Sequence, residues 1–303
     1  MVSRYVGPIR RVNRGRGHSY VDANGAKVPG VTTLLGDGVP KPALMDWGPR
    51  VTAEYAVDHW DELGKLTPSA RLEKLKKARY ADRDAAANKG TRVHTLAEQL
   101  VAGKTVAVPD DLAGHVESYV AFLDQWDPQP LLVEFVVMSH RHGYAGTGDL
   151  AAYFDPQLLL DCGLAGDDPA LQALLQGLAD NGELALVILD VKTSRSGIFG
   201  ETALQLAGYR FADVYVDEDG AEQPMPEFHL ALALHIRADG YDLFPMTAGR
   251  DQHRELLYVR EVGQFVTDHS RSYVGPPLSS PAHTKPRRLE VATDDRAKEG
   301  QPA

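Results

Sequence analysis

Asp190, Val191 and Lys192 end the apolar run LALVILDVKT, and their types and spacing suit hydrolytic chemistry. Side chains alternate along a strand, so Asp190 and Lys192 project to one side, a carboxylate beside an ammonium. A metal-dependent hydrolase can use that pair, with the carboxylate holding a divalent cation and the lysine steering or activating the attacking water. A lone D-x-K is more often a structural ion pair, although the chain has no other [DE]-x-K. Asp149 follows Gly146-Thr147-Gly148 at the expected start of a neighbouring strand. The glycines allow close approach of the backbone to another group, and the carboxylate offers a second hard oxygen ligand, or else caps its own turn.

Gln205 and Tyr209 are four residues apart in a segment of helical spacing, hence stacked on one face. An amide and a phenol there can orient a phosphate or a water, or simply line a half-exposed helix. His94 lies in Gly90-Thr91-Arg92-Val93-His94, with Glu98 one turn later. Glycine inside a helix costs ~1 kcal/mol relative to alanine, so Gly90 either permits a close approach or starts the helix. By itself His94 reads as a packed or surface histidine, and its neighbours in this set give it weight. His140 and His142 flank Arg141 in an expected turn and read as solvent-exposed rather than metal-binding. Glu134, between Val133 and Phe135, is an accessory acidic ligand or a polar residue on an open sheet face. Trp47, Trp60 and Trp126 read as core anchors.

The elements that must position these residues follow from periodicity and turn signals. HSYVDANGAKVPGVTTLL reads as a hairpin around Asn24-Gly25, and a helical pattern runs from Pro42 to about Leu63. Thr67-Pro68-Ser69 opens a long basic helix, continuous or broken near Gly90, and Pro109-Asp110-Asp111 caps another that ends near Trp126. LLVEFVVMS, TGDLAAYF and LALVILDVKT are strands, the third apolar enough to be central in its sheet. A short helix is expected around PALQALLQGLADN. TALQLAGYRFADVYV has helical spacing, with Leu204, Ala207 and Phe211 as its apolar stripe. FHLALALHI and YDLFPM pair around Ala238-Asp239-Gly240 before a closing helix. The organisation read from this pattern is an N-terminal hairpin and helical segment over 1–68, a core over 69–274 and a disordered tail over 275–303.

Composition bounds the function classes. With 303 residues, 43% of them hydrophobic and 24% charged, the chain is globular and able to bury a large core. Cys162 is the sole cysteine, which excludes a disulfide framework and a cysteine cage for zinc or an iron-sulfur cluster. No G-x-x-x-x-G-K-[ST] loop occurs, so the chain carries no P-loop motor. The start, MVSRYVGPIRRVNRGRG, lacks the apolar segment of a secretory signal and no window approaches a membrane span, so a reducing, cytoplasmic compartment is expected. The net charge is −10, yet residues 1–92 carry 17 basic and 10 acidic side chains and the remainder 15 and 32. Segregated positive charge attracts a polyanion locally, or is a solvated basic face.

The ordered set G-T-R-V-H, G-T-G-D, D-V-K and Q-x-x-x-Y, spanning Gly90 to Tyr209, resembles the PD-(D/E)XK nuclease superfamily, and within it the RecB-like exonuclease branch of bacteriophages. VPGVTTLL followed by LMDW is similar to the leading segment of phage members. The resemblance implies an α/β (α+β) fold, a restriction-endonuclease-like core with a central mixed β-sheet flanked by helices and the active site at one end of the sheet. It implies Asp149, Asp190, the Val191 carbonyl and His94 as ligands of Mg²⁺ or Mn²⁺, Lys192 as the catalytic lysine, and Gln205 and Tyr209 as organisers of the site around the scissile phosphate. The activity implied is metal-dependent exonucleolytic hydrolysis of DNA in phage recombination or replication, with a single-strand annealing recombinase as a partner. A non-catalytic DNA-end-binding or adaptor module on the same fold is the alternative. DNA approaching an acidic centre needs cations, and Arg10, Arg11, Arg14, Arg16, Lys74, Lys76, Lys77 and Arg79 are the candidate phosphate guides.

Overall fold

The computed structural model describes residues 5–14 and 17–278. A small sheet comes first, with strands β1 (Arg10–Arg14), β2 (Gly17–Val21) and β3 (Lys27–Val28) paired antiparallel in that order. Its second turn is built by Asp22, whose carboxylate accepts N–H bonds from Val6, Asn24 and Ala26, while Gly25 takes the positive φ the turn requires. Helices α1 (Val31–Gly38), α2 (Pro42–Asp58), α3 (Trp60–Gly64), α4 (Pro68–Val101) and α5 (Ala113–Trp126) follow. VTTLL, expected within the hairpin, is helical: Val31, Leu34 and Leu35 are buried at the i, i+3, i+4 spacing of a helix face, which outweighs the β-branched character of Val31-Thr32-Thr33. Helix α1 therefore joins a core of the main body although it lies within the N-terminal segment.

Strands β4 (Gln129–Ser139) and β5 (Tyr144–Phe154) form a long hairpin, and helices α6 (Pro156–Asp161) and α7 (Pro169–Asn181) lead to β6 (Ala185–Lys192). Helix α8 (Glu201–Arg210), strands β7 (Val214–Val216), β8 (Glu222–Pro224), β9 (Leu230–Arg237) and β10 (Gly240–Pro245), and helix α9 (Arg250–Gln264) complete the fold. The VYV segment, read as helical from its spacing, is strand β7, because it finds an edge partner in Val136–Met138 of β4. The seven strands pair in the order β10-β9-β6-β5-β4-β7-β8, antiparallel except for β6 with β9. The chain is thus an α/β protein with a mixed seven-stranded sheet flanked by helices.

Alternation along β6 explains its unbroken apolar run. Val187 and Leu189 enter one core with Val93 and Ala97 of α4, Phe122 and Trp126 of α5, and Leu175 of α7. Leu186 and Ile188 enter the core on the other face with α1, Leu206 of α8 and Leu256 of α9. A third cluster of Ile9, Tyr20, Val28, Met138 and Ala145 docks the small sheet on the large one, fixed by the Ala145 N–H bond to the Pro29 carbonyl at 2.9 Å.

Several expectations need correction. Trp126 is buried and Trp47 half-buried, but Trp60 is 72% exposed and anchors no core. His140 and His142 are half-buried rather than solvent-exposed. His140 Nε2 lies 2.9 Å from Glu222, and the His142 ring packs edge-on to His253. The strand expected over TGDLAAYF begins earlier, at Tyr144, so Gly146 also lies within β5. Residues 275–278 carry no helix or strand, and the rest of the expected tail is outside the described residues. Among the described residues no helix is long and apolar enough to cross a membrane.

Candidate metal centre

Helix α4 is continuous through Gly90, and a Cβ there would stand 3.1 Å from Thr193 Oγ1 just after β6. The missing side chain lets the helix come up against the end of the sheet, and His94 follows one turn later. The pairing of β5 with β6 ends at Leu150↔Leu189, and Asp149 and Asp190 each lie one residue beyond that pair. The long connection through α6 and α7 therefore does not prevent pairing, and both acidic residues reach the same region. The β4–β5 ladder passes from Val133↔Leu150 to Phe135↔Gly148, and Glu134 between them has a φ of +47°. A non-glycine residue in that region costs on the order of 1 kcal/mol, and such kinks concentrate where a side chain is re-aimed for function.

The result is a trio in which one ligand atom each of His94, Glu134 and Asp149 lies within 4.8 Å of the others. His94 Nδ1 is 3.6 Å from Asp149 Oδ2 and 3.9 Å from Glu134 Oε1. Val191, expected to contribute its carbonyl, orients Asp149 through its N–H, which donates to Oδ2 at 2.7 Å. Glu98 is exposed and stays outside the trio. Asp190, 1% exposed, stands beside the trio and faces Lys192, with Oδ2 2.5 Å from Nζ.

Gln205 ties this second pair together. Its Nε2 donates to Asp190 Oδ1 at 2.7 Å and to Tyr209 Oη at 3.2 Å, while its Oε1 accepts from Lys192 Nζ at 3.2 Å. Reversing the amide would set N–H groups against the ammonium, so its orientation is determined. Tyr209 is 3% exposed and acts from beneath. A Cβ on Gly146 would stand 2.3 Å from the Tyr209 ring, and one on Gly148 2.6 Å from Phe135. The two glycines thus admit aromatic rings.

Charges alternate across the site. Burial opposes protonation of His94, but Asp149, Glu134 and Asp190 outweigh it and carry its pKa up to about 9. Burial raises the Asp149 carboxyl, Asp190 and Glu134 add to the shift, and His94 and Lys192 only partly offset it, leaving it at about 6. Burial would raise Glu134, yet His94 and Arg11 hold it below its ordinary value. Lys192 is held charged despite burial by Asp190 and Asp149.

Glu134 is the residue whose part sequence reasoning left open. Its signal was a lone carboxylate within the apolar run LLVEFVVMS. Of the expected phosphate guides, Arg11 reaches the site and donates to Glu134 at 3.0 Å. Lys74 is paired with Glu62 and Lys76 lies 3.5 Å from Glu73, while Arg10 and Lys77 are exposed. Arg16 and the side chains of Arg14 and Arg79 lie outside the described residues. No known protein family matches the chain, and no curated protein does either.

Proposed function

We propose that the protein is a divalent-cation-dependent deoxyribonuclease that hydrolyses phosphodiester bonds from DNA ends, on a restriction-endonuclease-like core of the PD-(D/E)XK superfamily in its RecB-like phage exonuclease branch. The observation that carries this reading is the meeting of one imidazole and two carboxylates, His94, Glu134 and Asp149, beside the Asp190–Lys192 pair. Two carboxylates and an imidazole suit Mg²⁺ or Mn²⁺. His94, Glu134 and Asp149, with Asp190 alongside, would hold the ion. When bound, a divalent ion polarises a phosphoryl oxygen and lowers the pKa of an attacking water.

The chain's own groups do the rest. Lys192, held by Asp190 and Gln205, offsets negative charge growing on the phosphate oxygens. The Val191 N–H keeps Asp149 aimed, and Tyr209 holds the Gln205 amide from below without touching substrate. Exposed cations such as Arg10 and Lys77 guide the DNA backbone, so affinity falls steeply with salt. Phage recombination or replication as the setting, with a single-strand annealing recombinase as partner, rests on the resemblance alone.

The test is incubation of the purified protein with linear and circular DNA, with Mg²⁺, Mn²⁺ or chelator, at several salt concentrations. Divalent-dependent loss of linear DNA with circles intact is the expected result. Digestion of circles overturns the end requirement. Binding without digestion under every metal condition overturns the enzyme and leaves a DNA-end-binding module.

A further inference from the structure

Arg11 comes to the site from outside the large sheet. It lies on β1 directly across from Tyr20 on β2, so Arg11 and Tyr20 share a face of the small sheet with Asn13 and His18. That face is turned to the metal centre. Tyr20 Oη lies 2.8 Å from Thr147 Oγ1, two residues before Asp149 on β5, and His18 Nε2 lies 3.0 Å from the same hydroxyl. Tyr20 is 4% exposed and belongs to the cluster that docks the two sheets, so the small sheet holds Arg11 in a set place.

The Arg11 guanidinium donates to Glu134 Oε2 at 3.0 Å, while the other oxygen of Glu134 faces His94. A dication held by Glu134 brings two positive charges next to a guanidinium and takes up the carboxylate that paired with it. A phosphodiester then supplies an anion whose oxygens match the guanidinium fork as a carboxylate does. The Arg11 side chain is about one-third exposed, which leaves it room to pivot toward solvent.

We propose that Arg11 is an exchangeable cation: it pairs with Glu134 in the metal-free protein and passes to a non-bridging oxygen of the substrate phosphodiester when a divalent ion takes Glu134. This rests on the nuclease reading above and adds the residue that couples metal loading to phosphate capture. It makes Arg11 a competitor of the ion it serves, which a residue that merely orients Glu134 is not.

The test compares the full-length chain with Arg11→Gln, Arg11→Lys and Lys27→Gln, the last removing the same charge from an exposed position on the small sheet. Mn²⁺ affinity is measured by calorimetry without DNA, and affinity for a short duplex is measured in Ca²⁺. Arg11→Gln should bind Mn²⁺ about threefold to tenfold more tightly and DNA about tenfold more weakly, from the loss of one close charge. Arg11→Lys should keep wild-type Mn²⁺ affinity but lose part of the DNA affinity with the fork, and Lys27→Gln should match wild type in Mn²⁺ binding. Equal or weaker Mn²⁺ binding by Arg11→Gln overturns the exchange, and unchanged DNA affinity overturns phosphate capture. Absence of Mn²⁺ binding by the wild-type protein instead sinks the nuclease reading itself.

Discussion

Replacing Asp149 by asparagine should strengthen the metal-free fold while abolishing its response to metal. The substitution keeps the shape of the side chain and leaves an oxygen to accept the Val191 N–H, now 2.7 Å from Oδ2. What it removes is a buried negative charge. Burial, with Asp190 and Glu134 nearby, raises the carboxyl from 3.8 to about 6 even after the attraction of His94 and Lys192 is included. That difference corresponds to about 3 kcal/mol by which the ionised carboxylate disfavours the folded state. The sign follows from proton uptake: between pH 3.8 and 6 the folded chain binds more protons than the unfolded one, so wild-type stability falls as pH rises through that window. Asp149→Asn should therefore match wild type near pH 4 and exceed it by about 1–3 kcal/mol at pH 8 in chelator. Urea denaturation with and without Mn²⁺ reads both effects. The wild-type midpoint should climb with Mn²⁺ through preferential binding to the native state, and the variant midpoint should stay fixed. A variant weaker than wild type in chelator at pH 8 would show that the buried Asp149 charge does not destabilise the fold, and one that gains equally from Mn²⁺ would show that Asp149 is not a ligand.

Lys192→Met leaves Asp190 buried without its cation and should cost about 3 kcal/mol in denaturant unfolding. The same change should lower DNA cleavage about 100-fold or more while duplex binding persists, as read by gel assay and fluorescence anisotropy. Gly146→Ala drives a methyl into the buried Tyr209 ring, and a loss of about 1–3 kcal/mol in urea unfolding, with reduced cleavage through the displaced Gln205, is expected. His253 Nε2 lies 2.8 Å from Tyr144 Oη, and burial, with His142 and Arg250 nearby, lowers its pKa to about 4. Its contribution is present above pH 6.5 and lost as pH falls toward 4. Acid unfolding should thus carry a term of about 2 kcal/mol over that window, allowing for solvent at the ring edge, that His253→Phe flattens.

Local features were legible in the sequence because they depend on neighbours a few residues away. Thr67-Pro68 starts α4 because a side-chain oxygen and a proline satisfy the first turn wherever they occur. Strand alternation set Asp190 beside Lys192, and helical spacing set Gln205 over Tyr209, before any partner was known. The meeting of Glu134 with His94 and Asp149 was beyond such reasoning, since it depends on a left-handed backbone step in β4 and on a helix packed across the sheet. So was the pairing of Arg11 with Glu134, which are 123 residues apart. The helical state of Val31-Thr32-Thr33 and the strand state of Val214–Val216 were likewise decided by burial against α9 and by an open edge on β4. Short-range sterics and hydrophobic period determine most of the elements and what chemistry each carries, with those two segments as the exceptions. Which of those groups share one site depends on long-range packing, because only the assembled sheet brings distant carboxylates close enough to alter one another's charge.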